Sequence, residues 1–249
     1  MKKRWIIVGA VLLFSLSAPL LFASEKSIGV FIALADNIHQ GIAKVPKAIG
    51  NGDDPEHNLY WGCTEGLKGV FGKSKQWKLK EKIDHPKEPN ILRIRIYKHL
   101  KKDAILSAKA YKGSAIKQCI RDFEEAVRTG AYDMVVYIGH NGLMDFNLAA
   151  PVKMKKRKKT PDCAVLCCKS EIYFKKRIEE AGGRPILLTT QLMYPGSFIL
   201  HAAADEWLNG ASLSEIRERA GAEYALNQKI SKRSGMGVFA KLEKSETNP

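Results

Sequence analysis

Four short stretches of the chain are almost continuously apolar: IGVFIALA over residues 28–35, MVVYIG over 134–139, CAVLCC over 163–168 and PILLT over 185–189. Runs of this length without alternation mark strands covered on both faces, as in parallel sheets. ILRIRIY over 91–97 instead alternates Ile94 and Ile96 with Arg93 and Arg95. That predicts a strand with one polar face, towards a sheet edge. Helical spacing fills the intervals. Over 114–129, Ile116, Cys119 or Ile120, Phe123 and Val127 form one apolar face, with Ser114 able to cap the start and Gly130 the end. Further helices are expected over 171–181, stopped by Gly182 and Gly183, then around 196–209 and 212–231, where Ser212 and Glu215 fit a capping box. Residues 38–58 read as loop, with NGDDP at 51–55 as a dense turn signal. A short helix over 58–71 is weakened by Gly62, Gly66 and Gly69. Lysine-rich 73–87 reads as solvated, 103–111 as strand or loop, and 235–242 as a final strand. Strands alternating with helices predict an α/β fold, a three-layer αβα sandwich with a mostly parallel sheet. In such sheets the working groups sit beyond the carboxyl ends of the strands.

Composition narrows this picture at the start of the chain. Of 249 residues, 45% are hydrophobic and 27% charged, which excludes a disordered, collagen-like or coiled-coil protein. Lys2, Lys3 and Arg4 precede 19 residues, Trp5 to Ala23, without a charge. A basic start, an apolar middle and a small residue before a polar stretch describe a secretory signal peptide, expected to be cut after Ala23. About 18 apolar residues would also span a bilayer as an uncleaved anchor; Ser15, Ser17 and Pro19 weaken that helix and favour cleavage. No cysteine near the cut supports a lipid anchor. Residues 24–249 are then read as a single exported α/β domain, periplasmic or secreted. Five cysteines are too few for a disulfide scaffold, and their odd number leaves at least one thiol free or paired with another molecule. The net charge of +15 is concentrated in places. Lys153, Lys155, Lys156, Arg157, Lys158 and Lys159 crowd one connection, which as a solvated loop can meet anionic envelope polymers or lipids, or serve as a processing site. No aromatic-rich binding motif accompanies the charge, so no nucleic-acid partner is expected.

Two of the apolar strands stop on reactive side chains. YIGHNG ends at His140, and VLCCKS ends at Cys168, 28 residues later. That interval suits a crossover to a neighbouring parallel strand, which would set the two side chains across one sheet edge. A thiol of pKa about 8.5 is little ionised at neutral pH, and a nearby imidazole can take its proton. Backbone N–H groups at Asn141 and Cys168 are the expected oxyanion donors, helped by the helix that begins near Glu171. Successive strand residues face opposite ways, so only one of Cys167 and Cys168 can face His140, and Cys168 has the better register. Each assignment has a plainer rival: a turn histidine in a glycine-rich loop, or buried core cysteines. Gln191 and Tyr194 follow the fourth apolar run at the same edge and are candidates for substrate binding. Cys119 reads as core, and Cys63 as a disulfide partner or pocket wall. Asp53, Asp54 and Asn58 suit a turn better than a calcium site. No paired CxxC spacing is present, and no metal or other cofactor is expected.

These two motifs resemble the caspase-like (clan CD) superfamily of cysteine peptidases. In that group an apolar strand ends in His-Gly, and a later one ends in a small residue followed by the nucleophilic Cys. VVYIGHNG carries His140, and in AVLCCKS Cys167 takes the place of the small residue before Cys168. The resemblance implies a caspase-like sheet, a peptide or protein substrate, and a His140/Cys168 dyad that needs no cofactor. Two features depart from it. Asn141 stands where the family has glycine, and the 28-residue interval is shorter than the roughly 50 of caspases. Asn tolerates left-handed backbone better than most residues, so the turn can survive. A non-catalytic envelope-binding protein of the same fold, and a thiol hydrolase of non-peptide acyl groups, are the competing readings.

Overall fold

The computed structural model of the protein describes residues 25–40, 44–154 and 159–242. The expected signal peptide, and residues 155–158 of the basic run, lie outside the described residues. Seven strands form one sheet: β1 (Lys26–Ala33), β2 (Trp77–Ile83), β3 (Ile91–His99), β4 (Ala104–Tyr111), β5 (Met134–Ile138), β6 (Asp162–Leu166) and β7 (Arg184–Leu187). Their order is β2-β3-β4-β1-β5-β6-β7. The pairs from β4 to β7 are parallel, and β2 and β3 add an antiparallel flank. Six helices cover the sheet: α1 (Leu67–Gly72), α2 (Ile116–Thr129), α3 (Ser170–Glu180), α4 (Ser197–Leu208), α5 (Leu213–Gln228) and α6 (Lys232–Gly237).

Strand alternation sorts the core into two layers. Phe31, Val135, Tyr137, Val165 and Cys167 face α2 and α3, where Phe123 and Phe174 stack on them. Val30, Ile32, Val136, Ile138 and Leu166 face α1, α4 and α5. The central strands β1, β5 and β6 are therefore buried on both sides, which is why their sequences carry no polar alternation. The chain is an α/β three-layer sandwich with a mostly parallel sheet. Among the described residues no helix is long and apolar enough to cross a membrane.

Local differences from the sequence reading have identifiable causes. Residues 77–83 form the edge strand β2, exposed along Lys78–Lys82 and held by buried Trp77. Its alternating lysines hid a strand whose outer edge they also keep from pairing with other chains. On β3 the expected faces are reversed. Arg95 is buried, while Ile94 and Ile96 are half-buried. The Arg95 guanidinium is drawn in by Asp84 at 2.6 Å, on the face that Tyr97 shares with Phe71 of α1. The helix over 58–71 shrinks to α1, and the residues before it are turns. Ser114 lies in a 3-10 turn and makes no capping bond, whereas Gly130 closes α2 with φ 66°. The Ser212–Glu215 capping box is formed. The final strand is replaced by α6, followed by a single bridge between Phe239 and Thr189.

One buried ion pair ties α2 and α3, on one face of the sheet, to the connection that follows β5. Arg177 of α3 reaches Glu124 of α2 at 2.6 and 3.0 Å and also donates to the carbonyls of Leu148 and Ala149. Burial pushes the Glu124 carboxyl up despite the guanidinium beside it. Arg177→Met leaves that carboxylate buried and unpaired and is expected to cost about 3–5 kcal/mol of stability at neutral pH. A carboxyl raised in the folded state destabilises as the pH rises through its pKa. The variant's deficit in Tm should therefore shrink on acidification, as Glu124 takes up a proton; a deficit independent of pH would refute the assignment.

Candidate functional site

The parallel register that pairs Ile138 with Leu166 brings the ends of β5 and β6 side by side. Beyond them the chain turns sharply on both strands. Gly139 has φ 149° and approaches Ala33 so closely that a Cβ there would lie 2.9 Å from the Ala33 carbonyl oxygen. Its N–H still reaches back to the Leu166 carbonyl at 3.3 Å. The fully buried Asn141 then crosses the gap: its Nδ2 donates to the Cys168 carbonyl at 2.6 Å, and its Oδ1 accepts from the Leu143 N–H. On the other strand Lys169 adopts a left-handed conformation, φ 51°, and α3 starts at Ser170. Ser170 and Thr189 exchange hydrogen bonds, and the Thr189 hydroxyl also donates to the Cys167 carbonyl. This network fixes the position of Cys168 between two elements.

The two cysteines separate as alternation requires. Cys167 is fully buried on the α2/α3 side, where burial pushes its thiol well up. Cys168 is half-buried on the opposite side. Its sulfur is bracketed by one residue of the loop after β7: the Met193 N–H donates to Sγ at 3.4 Å, and the Met193 carbonyl accepts from it at 3.6 Å. The buried hydroxyl of Tyr60 lies close enough for both cysteines to add to the rise that burial imposes on it.

His140 is held from two directions. Its carbonyl accepts from Tyr137 Oη at 2.7 Å, and its Nε2 meets Asp145 Oδ2 at 2.5 Å. In the neutral imidazole tautomer that donates from Nε2 to a carboxylate, the lone pair is on Nδ1. Asp145 stands in the 3-10 turn that the Asn141 side chain opens. The five-residue offset from His140 to Asp145 was the only trace of this pair in the sequence.

The donors available at this edge are few. The N–H of Lys169 goes to the Gln191 carbonyl, that of Glu171 to the Thr189 carbonyl, and that of Gly142 to the His140 carbonyl. Together with the Ser170 N–H, which goes to the Thr189 hydroxyl, the first donors entering α3 are therefore taken up by the segment after β7. The N–H groups of Asn141 and Cys168 have no acceptor among the described residues. Gln191 is exposed and contributes its backbone carbonyl. Tyr194 lines a cavity of 510 Å³ together with Cys63 and Glu65. A larger cavity, 990 Å³, opens at the other end of the sheet around Lys26, Asp162 and Arg184, the first residues of β1, β6 and β7. The position of the reactive side chains, not cavity size, therefore defines the candidate site. All five cysteines are free thiols, so Cys63 has no disulfide partner here. Among the described residues no three His, Cys, Asp or Glu side chains are placed to hold a metal ion.

Alkylation should distinguish the thiols. Brief iodoacetamide treatment of the folded protein is expected to modify Cys168 first and Cys63 more slowly, since burial and Glu65 push the Cys63 thiol up. Cys119, Cys163 and Cys167 are buried and should react only on unfolding. Peptide mass mapping that finds Cys167 modified before Cys168 would contradict this arrangement. No protein-family model matches the chain, and no curated protein or solved structure is significantly similar to it.

Proposed function

We propose that the protein is an exported cysteine hydrolase, acting on peptide or protein substrates through Cys168 and His140. The observation that carries this reading is the alignment of the two strand ends, fastened by the Asn141–Cys168 hydrogen bond. His140 Nδ1, left with its lone pair by Asp145, takes the Cys168 proton. The thiolate attacks the acyl carbonyl carbon, and the carbonyl electron pair moves onto oxygen, facing the N–H groups of Asn141 and Cys168. The carbonyl re-forms as the C–N bond breaks, and the imidazolium returns its proton to the departing amine. Water then adds to the thioester carbon, giving its proton to His140. Collapse expels the Cys168 sulfur, which regains a proton, and frees the carboxylic acid. No step uses a metal or redox group.

The rest of the reading follows from the sequence. Export requires removal of residues 1–23, and the basic connection at 153–159 is available to anionic envelope components. N-terminal sequencing of the protein from its native source is expected to begin at Ser24; a chain beginning at Met1 would overturn cleavage and favour the uncleaved anchor.

The catalytic assignment is tested by single-turnover acylation with a thiol-reactive acyl probe and by turnover of a peptide library. Cys168→Ser should abolish covalent labelling, and His140→Ala should slow it about 10²–10⁴-fold. Asp145→Asn keeps the geometry but loses the charge that orients the ring, so it should lower kcat more than it raises KM. Labelling that survives in Cys168→Ser overturns the nucleophile. Acyl-probe turnover with no peptide cleaved would favour a hydrolase of non-peptide acyl groups.

A further inference from the structure

The 510 Å³ cavity opens on the same sheet edge as Cys168, and its construction selects for charge. The loop before α1 is clamped onto that edge at two points. Asn58 exchanges side-chain hydrogen bonds with both backbone groups of Ala35, at 2.8 and 3.0 Å, and the Gly52 carbonyl accepts from the Gly113 N–H. The loop packs so tightly that a Cβ on Gly62 would collide with the Glu56 carbonyl oxygen at 1.8 Å. The far wall is Tyr194, which directly follows the residue whose backbone brackets the Cys168 sulfur. Its ring is supported by Phe198, with centroids 6.3 Å apart.

Two carboxylates line this cavity, and they differ. Glu56 is already neutralised by Lys68 and Arg93. Glu65 has no cationic partner among the described residues. Its carboxylate accepts from the neutral Asn227 Nδ2 at 2.5 Å, while its backbone carbonyl takes the Ser197 N–H at the start of α4. A half-buried carboxylate that meets a neutral amide and no cation, in a cavity with an aromatic wall, is arranged to receive a cation. Consistent with that field, Glu65 contributes to the upward shifts of both Cys63 and Tyr194.

We infer that this cavity binds the cationic side chain of the residue whose carbonyl Cys168 attacks, with Glu65 as its counter-charge, so that the substrates are arginyl or lysyl acyl donors. The inference rests on the proposed hydrolase, but its central test does not need catalysis. Agmatine, a guanidinium-bearing amine, is titrated calorimetrically into the mature protein and into Glu65→Gln, Glu65→Asp and Cys168→Ser. Saturable binding is expected for the unmodified protein, at least tenfold weaker in Glu65→Gln, intermediate in Glu65→Asp and unchanged in Cys168→Ser. Gln keeps an acceptor for Asn227, and equal melting temperatures check that the fold survives. In parallel, kcat/KM is compared for aminomethylcoumarin amides of Arg, Lys, Leu and Asp, with Arg and Lys expected to lead and to fall at least tenfold in Glu65→Gln. No binding of agmatine, or equal binding by Glu65→Gln, overturns the cation pocket even if Leu or Asp amides are cleaved and the hydrolase reading stands. Binding lost in Glu65→Gln, with amide cleavage persisting in Cys168→Ser, sustains the pocket and overturns the nucleophile instead.

Discussion

The candidate site depends on one constraint, the parallel register of β5 against β6. Ile138 lies opposite Leu166, so the turn after each strand begins at the same height. A slip of one residue would turn every side chain of β6 to the other face, exchanging Cys168 for Cys167 and mismatching the shapes packed in both layers. Both layers resist the slip, because each strand is packed on its two sides by aromatic and aliphatic groups. The core therefore sets the position of the sulfur more firmly than any contact made by the sulfur itself.

Beyond the strand ends, backbone geometry and short polar links take over from packing. Lys169 holds a left-handed conformation that costs a non-glycine residue roughly 1–2 kcal/mol. It persists because Ser170, Thr189 and the Gln191 carbonyl bind the backbone on either side of it. Asn141 plays the matching part on the histidine side. A glycine there would supply an N–H but could not reach the Cys168 carbonyl, so this chain trades backbone freedom for a side-chain bridge between the two loops. The same substitution that departs from the caspase-like pattern thus has a structural use.

Charge is handled differently at the surface and inside. The exposed lysines of β2 remain in water, whereas buried charges are met individually: Glu124 by Arg177, Arg95 by Asp84, and Asp162 by Arg184 and the Trp207 indole N–H. Two half-buried carboxylates meet neutral donors instead: Asp122 accepts from Tyr111 and Gln118, and Glu65 from Asn227. Asp122 closes a local network with its own helix, whereas Glu65 lines a cavity, which is the basis for the proposed cation pocket.

The sequence alone determined the sandwich and its site-bearing edge. Strands buried on both faces must be apolar throughout, so IGVFIALA, MVVYIG and CAVLCC announced themselves, and their last residues pointed to His140 and Cys168. Alternation separated Cys167 from Cys168 and the strand-end register favoured Cys168, while the burial of Cys167 came from the fold. Elements whose burial depends on distant partners were not legible. β2 looked like solvated lysines because only Trp77 turns inward, and Arg95 looked exposed because its partner Asp84 lies on a different strand connection. Asp145, Tyr60, Met193 and Glu65 carry no motif. They belong to loops from three separate parts of the chain, and only folding assembles loops against a shared edge. Local periodicity records which face of an element is dry; it holds no record of which loop comes to rest above it, because those contacts join residues far apart in sequence.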